Sequence, residues 1–290
     1  MKMKACLTTA ILVWGLLLAA AFPNPAISAT AGDPAQSSDE ALWQQFMEWV
    51  PSAPIASGPR PLFIGFRDSL IARGASAEEA QRQIAVIRRL YLERPDAWRA
   101  VFNNVYQTDT PAFSIQPNAL LMSAVENRKP GRALDVGMGQ GRNSVFLALK
   151  GWDVTGFDVS DVAIAAARKN AEHAGVKVNA IRQSDEAFDY GSAQWDLIVY
   201  TYEPLPVTSV AYVERLRKSM KPGAIIVIES FSGDPATSGN AATAINPGEL
   251  LLAFKEFRLL HFEDTLAIPD WRGTGLKKRG IVRMVAEKRP

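Results

Sequence analysis

Apolar and polar positions follow different rhythms along this chain, and each rhythm predicts a different kind of structure. Residues 10–22 are apolar at every position, with Lys2 and Lys4 ahead of them and Ala29-Thr30-Ala31 behind. A basic flank, a short apolar run and a small-residue site have the layout of a secretory signal peptide. The run is shorter than the roughly 20 residues a membrane-spanning helix prefers. Cleavage after Ala29 or Ala31 is therefore the first reading, and an uncleaved N-terminal anchor over residues 1–31 the second. Either one places the rest of the chain outside the cytoplasm, periplasmic or extracellular, because the positive flank stays inside. Residues 28–38 are rich in Ala, Ser, Pro and Gly without periodicity, which predicts a linker reaching residue 38.

A helical rhythm follows. Leu42, Trp43, Phe46 and Trp49 fall on one face of a helix over residues 39–50, and residues 51–61 break the pattern with prolines. Ser76-Ala77-Glu78-Glu79 has the form of a capping box, in which the serine accepts from the backbone three residues on and the glutamate reaches back. It opens a helix that continues through Ile84, Ile87, Leu90 and Tyr91. Residues 95–106 predict another helix with proline at its start. A helical cap over residues 39–116 results.

From Arg132 onward short β-rich runs alternate with helical ones. Strands are predicted at 133–136, 153–157, 176–182, 195–200 and 224–229, with helices at 143–150, 162–174 and 209–220. That alternation means a parallel sheet covered by helices. Residues 257–267 and 280–287 are two further β-rich runs with no helix between them, so they pair antiparallel. The fold class is α/β: a Rossmann-like, doubly wound, seven-stranded sheet, mostly parallel with an antiparallel C-terminal strand, over residues 117–290.

Composition changes the picture in a few places. The chain has 290 residues and is 48% hydrophobic, enough for a substantial core. Its 32 Lys and Arg stand against 30 Asp and Glu, and without Lys2 and Lys4 the balance is zero. A neutral body lacks the basic footprint of a nucleic-acid binder, so no nucleic-acid partner is expected. Membrane contact is expected only through an uncleaved N-terminal segment. Cys6, the single cysteine, lies in the leader, which excludes a disulfide framework. His173 and His261, the only histidines, show no ligand spacing, and no metal site is expected.

The chemistry concentrates at Asp135-Val136-Gly137-Met138-Gly139-Gln140-Gly141, at the end of the first predicted strand. Alternate glycines at an element boundary mark backbone that turns sharply or comes close to a ligand. A dinucleotide asks for G-x-G-x-x-G. Here the third glycine comes one residue early and Arg142 stands where that pattern wants glycine, which weakens an oxidoreductase reading without removing it. An arginine at a helix N-terminus is disfavoured by the helix dipole, so Arg142 needs a partner: the ligand's carboxylate or an acidic neighbour.

The same residues match D-x-G-x-G-x-G, and the stretch "GQGRNSVFLALKGWDVTGFDVS" resembles the tellurite-resistance branch of the class I S-adenosylmethionine-dependent methyltransferases. This resemblance covers residues 117–288. It implies a cofactor, S-adenosyl-L-methionine, held by Asp135, Gly137, Met138, Gly139, Gly141, Arg142, Asn143, Asp158, Val159, Asp185, Glu186 and Tyr200. Asp158 ends the second strand, where a carboxylate suits the two hydroxyl donors of a ribose; a cap for the helix beginning near Asp161 is its alternative. Asp185 and Glu186 lie where relatives read the adenine amino group. Many relatives carry cysteine or serine at Met138, whose thioether is expected beneath the cofactor. Tyr202 and Glu203, after the fourth strand, are the acceptor-side candidates, with a proline-shaped surface loop as the alternative. The implied function is methyl transfer to a small-molecule acceptor by in-line displacement, with a non-catalytic nucleoside-binding protein as the other reading.

Overall fold

The computed structural model describes residues 34–54, 59–107, 113–233, 244–271 and 277–290. The predicted signal peptide or anchor lies outside the described residues. Among the described residues no helix is long and apolar enough to cross a membrane.

Helix α1 (Pro34–Trp49) begins inside the stretch read as linker, so residues 34–38 are helical. A 3-10 turn, Val50–Ser52, ends it at Pro51. Helix α2 (Pro59–Ala72) was hidden from the sequence pattern by its own prolines. Proline is tolerated in a first helical turn, where the N–H it lacks has no intrahelical acceptor. Helix α3 (Ala77–Glu93) starts at Ser76, whose side chain accepts from Glu79 N at 3.1 Å. The Glu79 carboxylate turns to Arg82 and Gln83, so only half of the predicted capping box forms. With α4 (Pro95–Val105), these helices bury a core of their own around Trp43, Phe46, Phe66, Ile84 and Ile87.

Helix α5 (Ala119–Val125), capped by the Asn118 side chain, leads into the sheet. The strands are β1 (Arg132–Val136), β2 (Asp153–Asp158), β3 (Asn179–Arg182), β4 (Trp195–Thr201), β5 (Met220–Phe231), β6 (Arg258–Ala267) and β7 (Arg279–Glu287). Between them run α6 (Arg142–Leu149), α7 (Asp161–His173), α8 (Val210–Ser219) and α9 (Pro247–Ala253). Their order across the sheet is β3-β2-β1-β4-β5-β7-β6. All pairs from β3 to β5 are parallel, and β7 runs antiparallel between β5 and β6. The architecture is the predicted one.

Both faces of the central strands are buried. Leu134, Ile198 and Ile226 pack on one side, and Ala133, Leu197 and Ile225 on the other. Two-sided burial explains why these strands read as continuous apolar runs. After β1 the chain builds outward through β2 and β3, then returns to place β4 on the other side of β1. Strand order therefore reverses at the C-terminal ends of β1 and β4, where α/β sheets open a crevice for ligands. The cap is docked beside that crevice: Asn103 of α4 accepts from Ser160 Oγ at 2.7 Å, and Arg99 pairs with Asp161 at 3.1 Å.

Candidate functional site at the β1–β4 crevice

The turn after β1 is built by glycine conformation. Gly137, Gly139 and Gly141 have φ of 61°, 53° and 83°, a region that side chains rarely enter. Met138 N donates to Phe157 O of β2, and Gly141 N donates back to Met138 O, both at 2.9 Å, which fixes the bend. Asp158 ties it to the next strand. Its Oδ2 accepts from Gly139 N at 2.9 Å, and its Oδ1 from Ser160 N at 2.8 Å.

Two polar side-chain tips lie against this turn. A Cβ on Gly139 would stand 2.5 Å from the Tyr106 hydroxyl, and one on Gly137 would overlap the Glu203 carboxylate. Tyr106 follows α4, so the cap supplies one tip; Glu203 follows β4, so the sheet supplies the other. The path of Glu203 is set by Tyr202, whose φ of 60° is unusual for a bulky residue. The Tyr202 ring is buried, and its hydroxyl donates to Glu229 Oε1 at 2.5 Å. Holding Tyr202 in this left-handed conformation leaves the next side chain over the turn.

The crevice is lined by acids. Burial pushes the Glu203 carboxyl well above the usual range, and Asp158, Asp185 and Glu186 push it the same way. Burial raises Asp158 to about 6 against the backbone N–H groups of Ser160, Gly139 and Val159, which favour its anion. Asp135 is likewise raised to about 6 by burial, opposed by Ser144 and Arg142. Ser144 Oγ donates to Asp135 Oδ2 at 2.6 Å, while Oδ1 is buried with no partner. Among the described residues no group of His, Cys, Asp and Glu is placed to hold a metal ion.

A methyltransferase-domain family model matches residues 133–223, the span from β1 into β5. The ribosomal RNA small subunit methyltransferase C of Alcanivorax borkumensis is 41% identical over 63 residues, 21% of this chain and 19% of that protein. The probable S-adenosylmethionine-dependent methyltransferase TehB of Haemophilus influenzae is 33% identical over 85 residues, 28% of each chain. These matches span less than a third of either relative's length. The crystal structure of TehB from Haemophilus influenzae superposes with a TM-score of 0.53 at 20% identity, over 66% of this chain and 67% of that one. Over residues 133–223 the chain is similar to methyltransferase domains, and its fold is that of TehB.

In this methyltransferase fold the residues implied by the resemblance divide into two groups. Gly137, Gly139, Gly141, Asp158, Val159 and Glu203 meet at the turn, with Asp135 beneath it. The others are engaged by the protein itself. Of the two partners open to Arg142, the structure supplies the acidic neighbour: its guanidinium bonds Asp270 Oδ1 at 3.1 Å, and Asp270 O and Gln116 O at 3.0 Å. Asn143 is buried, accepting from Asn118 N at 2.9 Å and donating to Thr201 Oγ1 at 3.0 Å. The Met138 thioether packs under the turn against Gly156 and Ala167 rather than at its open face. Asp185 accepts from the hydroxyls of Tyr190 and Tyr212 and pairs with Arg215 at 3.2 Å, and burial raises its carboxyl. The Tyr200 hydroxyl joins the same cluster, 2.8 Å from that of Tyr190. Glu186 is exposed beside it. Tyr202, an acceptor-side candidate, has its hydroxyl bound to Glu229 and to Asp270 N.

Tyr106, Asp270 and Trp271 are the site residues that sequence reasoning missed. Tyr106 reads as the end of an amphipathic helix, and the other two sit between strands with no motif around them. A chain of packed rings, Tyr106–Phe113–Trp271–Tyr202, the first pair tilted and the other two stacked, with centroids 5.1 to 5.7 Å apart, walls the crevice on the cap side.

Proposed function

We propose that this protein transfers a methyl group from S-adenosylmethionine to a small-molecule acceptor by in-line displacement. The observation that carries the reading is an acid-walled turn: positive-φ glycines at the β1–β4 switch point, faced by Asp158 and Glu203 with Asp135 beneath. A dinucleotide would bring its pyrophosphate against these carboxylates, and so would a nucleic-acid backbone. A cationic, phosphate-free nucleoside suits them.

The residues present fit that cofactor. A Cβ at Gly137 or Gly139 would meet the side-chain tips of Glu203 and Tyr106, which a ligand can displace without moving backbone. Asp158 has acceptor capacity left for a ribose diol beyond its backbone bonds, and the unpaired Asp135 Oδ1 adds negative potential below. With Asp185 spent on tyrosines and Arg215, reading of the base falls to Glu186 and the backbone of that loop. When bound, the cofactor supplies an electrophilic methyl on a positively charged sulfur. The chain supplies position and dryness: the aromatic wall and the docked cap keep water from the reacting atoms. The acceptor enters along that wall.

Calorimetric titration of the full chain with S-adenosylmethionine and S-adenosylhomocysteine tests the binding. Micromolar binding of both, together with labelled-methyl turnover on a panel of small acceptors, is the expected result. Binding without turnover across the panel would favour a non-catalytic nucleoside-binding role, and preferential binding of a nicotinamide dinucleotide would overturn the reading.

A further inference from the structure

We propose that Glu203 is the counter-ion for the positive charge of the bound sulfonium nucleoside, and that it makes the site prefer the charged cofactor over its demethylated product. The inference rests on the reading of the turn given above and moves Glu203 from the acceptor side to the cofactor side. Its carboxylate lies directly on Gly137, the first glycine of the turn, so any ligand seated along the turn touches it. Among the described residues it makes no hydrogen bond, and no lysine or arginine pairs with it. A half-buried carboxylate without a cation is costly, and a cationic ligand removes that cost.

The groups around it reinforce this. Asp158 faces it from the end of β2, and Asp185 and Glu186 from the loop after β3, all disfavouring its anion. From the cap come two phenols, Tyr106 and Tyr91, which feel its charge; the Tyr91 hydroxyl is buried without a partner. Asp135 lies below the turn, and Arg142, the cation nearest the turn, is committed to Asp270. These surroundings favour a proton on Glu203 in the ligand-free protein, and an arriving positive charge favours its anion. Cofactor and product share the same amino-acid end and nucleoside. They differ in the charge on sulfur, so this proton separates them.

The test is calorimetry of the full chain and of Glu203→Gln with both ligands, in buffers of different ionisation heat. Wild type is expected to release about one proton per S-adenosylmethionine bound near neutral pH and clearly less with S-adenosylhomocysteine. Cofactor affinity should rise with pH. Glu203→Gln should abolish the proton release and weaken the cofactor by about ten- to a hundred-fold while leaving the product within a few-fold. The proton count on wild type does not depend on the variant folding. Equal weakening of both ligands, or cofactor binding without proton release, would overturn the role of Glu203 and leave the methyltransferase reading standing. Failure of wild type to bind either ligand would overturn both.

Discussion

Gly156 shows how one residue makes room for another. It lies in β2, outside the glycine motif, and a Cβ there would stand 2.6 Å from Met138 Sδ and 3.0 Å from its Cβ. The bulky Met138 is accommodated because the neighbouring strand offers no side chain there. Gly156→Ala is expected to destabilise the protein by about 1–3 kcal/mol through overpacking. Adding Met138→Ala should recover most of the loss, and chemical denaturation of the single and double variants measures the coupling. Nothing in the linear sequence links these positions; the β1–β2 register does, setting Asp135 beside Gly156. The glycines of the turn were legible because their conformation is a local need. The partner of Arg142 was half legible: the dipole argument demanded one, but Asp270 lies 128 positions away.

Among elements, the segment before β1 and the loop after β6 are joined across the start of α6. Arg142 bridges Gln116 and Asp270, while Asn118 Nδ2 and Ala119 N donate to Asp270 Oδ2 at 2.9 and 3.3 Å. This knot holds the wall of the crevice, since Trp271 follows Asp270 and its carbonyl accepts from Ser114 N at 2.7 Å. Removing the guanidinium with Arg142→Ala should cost about 2 kcal/mol, seen as a lower urea midpoint. Arg142→Lys should not restore it, because one ammonium cannot reproduce a planar fork spread over separate acceptors. Helices α3, α4, α6, α7 and α8 were readable from periodicity and capping residues. Helix α2 was not, since proline in a first turn and proline in a loop look alike until the next turn is seen. Helix α9, seven residues long, is too short to show a period.

For the whole molecule, buried acids set the pH behaviour. The carboxyl of Asp135, 1% exposed, titrates at about 6 in the folded protein and near 3.8 in an open chain. Between these values the folded state holds more protons, so its stability falls as pH rises through the window. The shift corresponds to about 3 kcal/mol for this group. Melting curves from pH 4 to 7 should decline in wild type and decline less steeply in Asp135→Asn, with Asp158 keeping part of the slope, whereas a parallel decline in both would assign the effect elsewhere. The sequence by itself determined the alternation of strands and helices, the glycine turn and the acid at the end of β2, because each answers to periodicity or to conformational demands within a few residues. Only the tertiary structure decided which acids stay free. It took Asp185 into a tyrosine cluster, gave Arg142 to Asp270, and set Tyr106 and Glu203 against the turn. Those outcomes depend on which distant side chains share a buried volume, and buried charge is resolved by whatever partner the fold brings within reach.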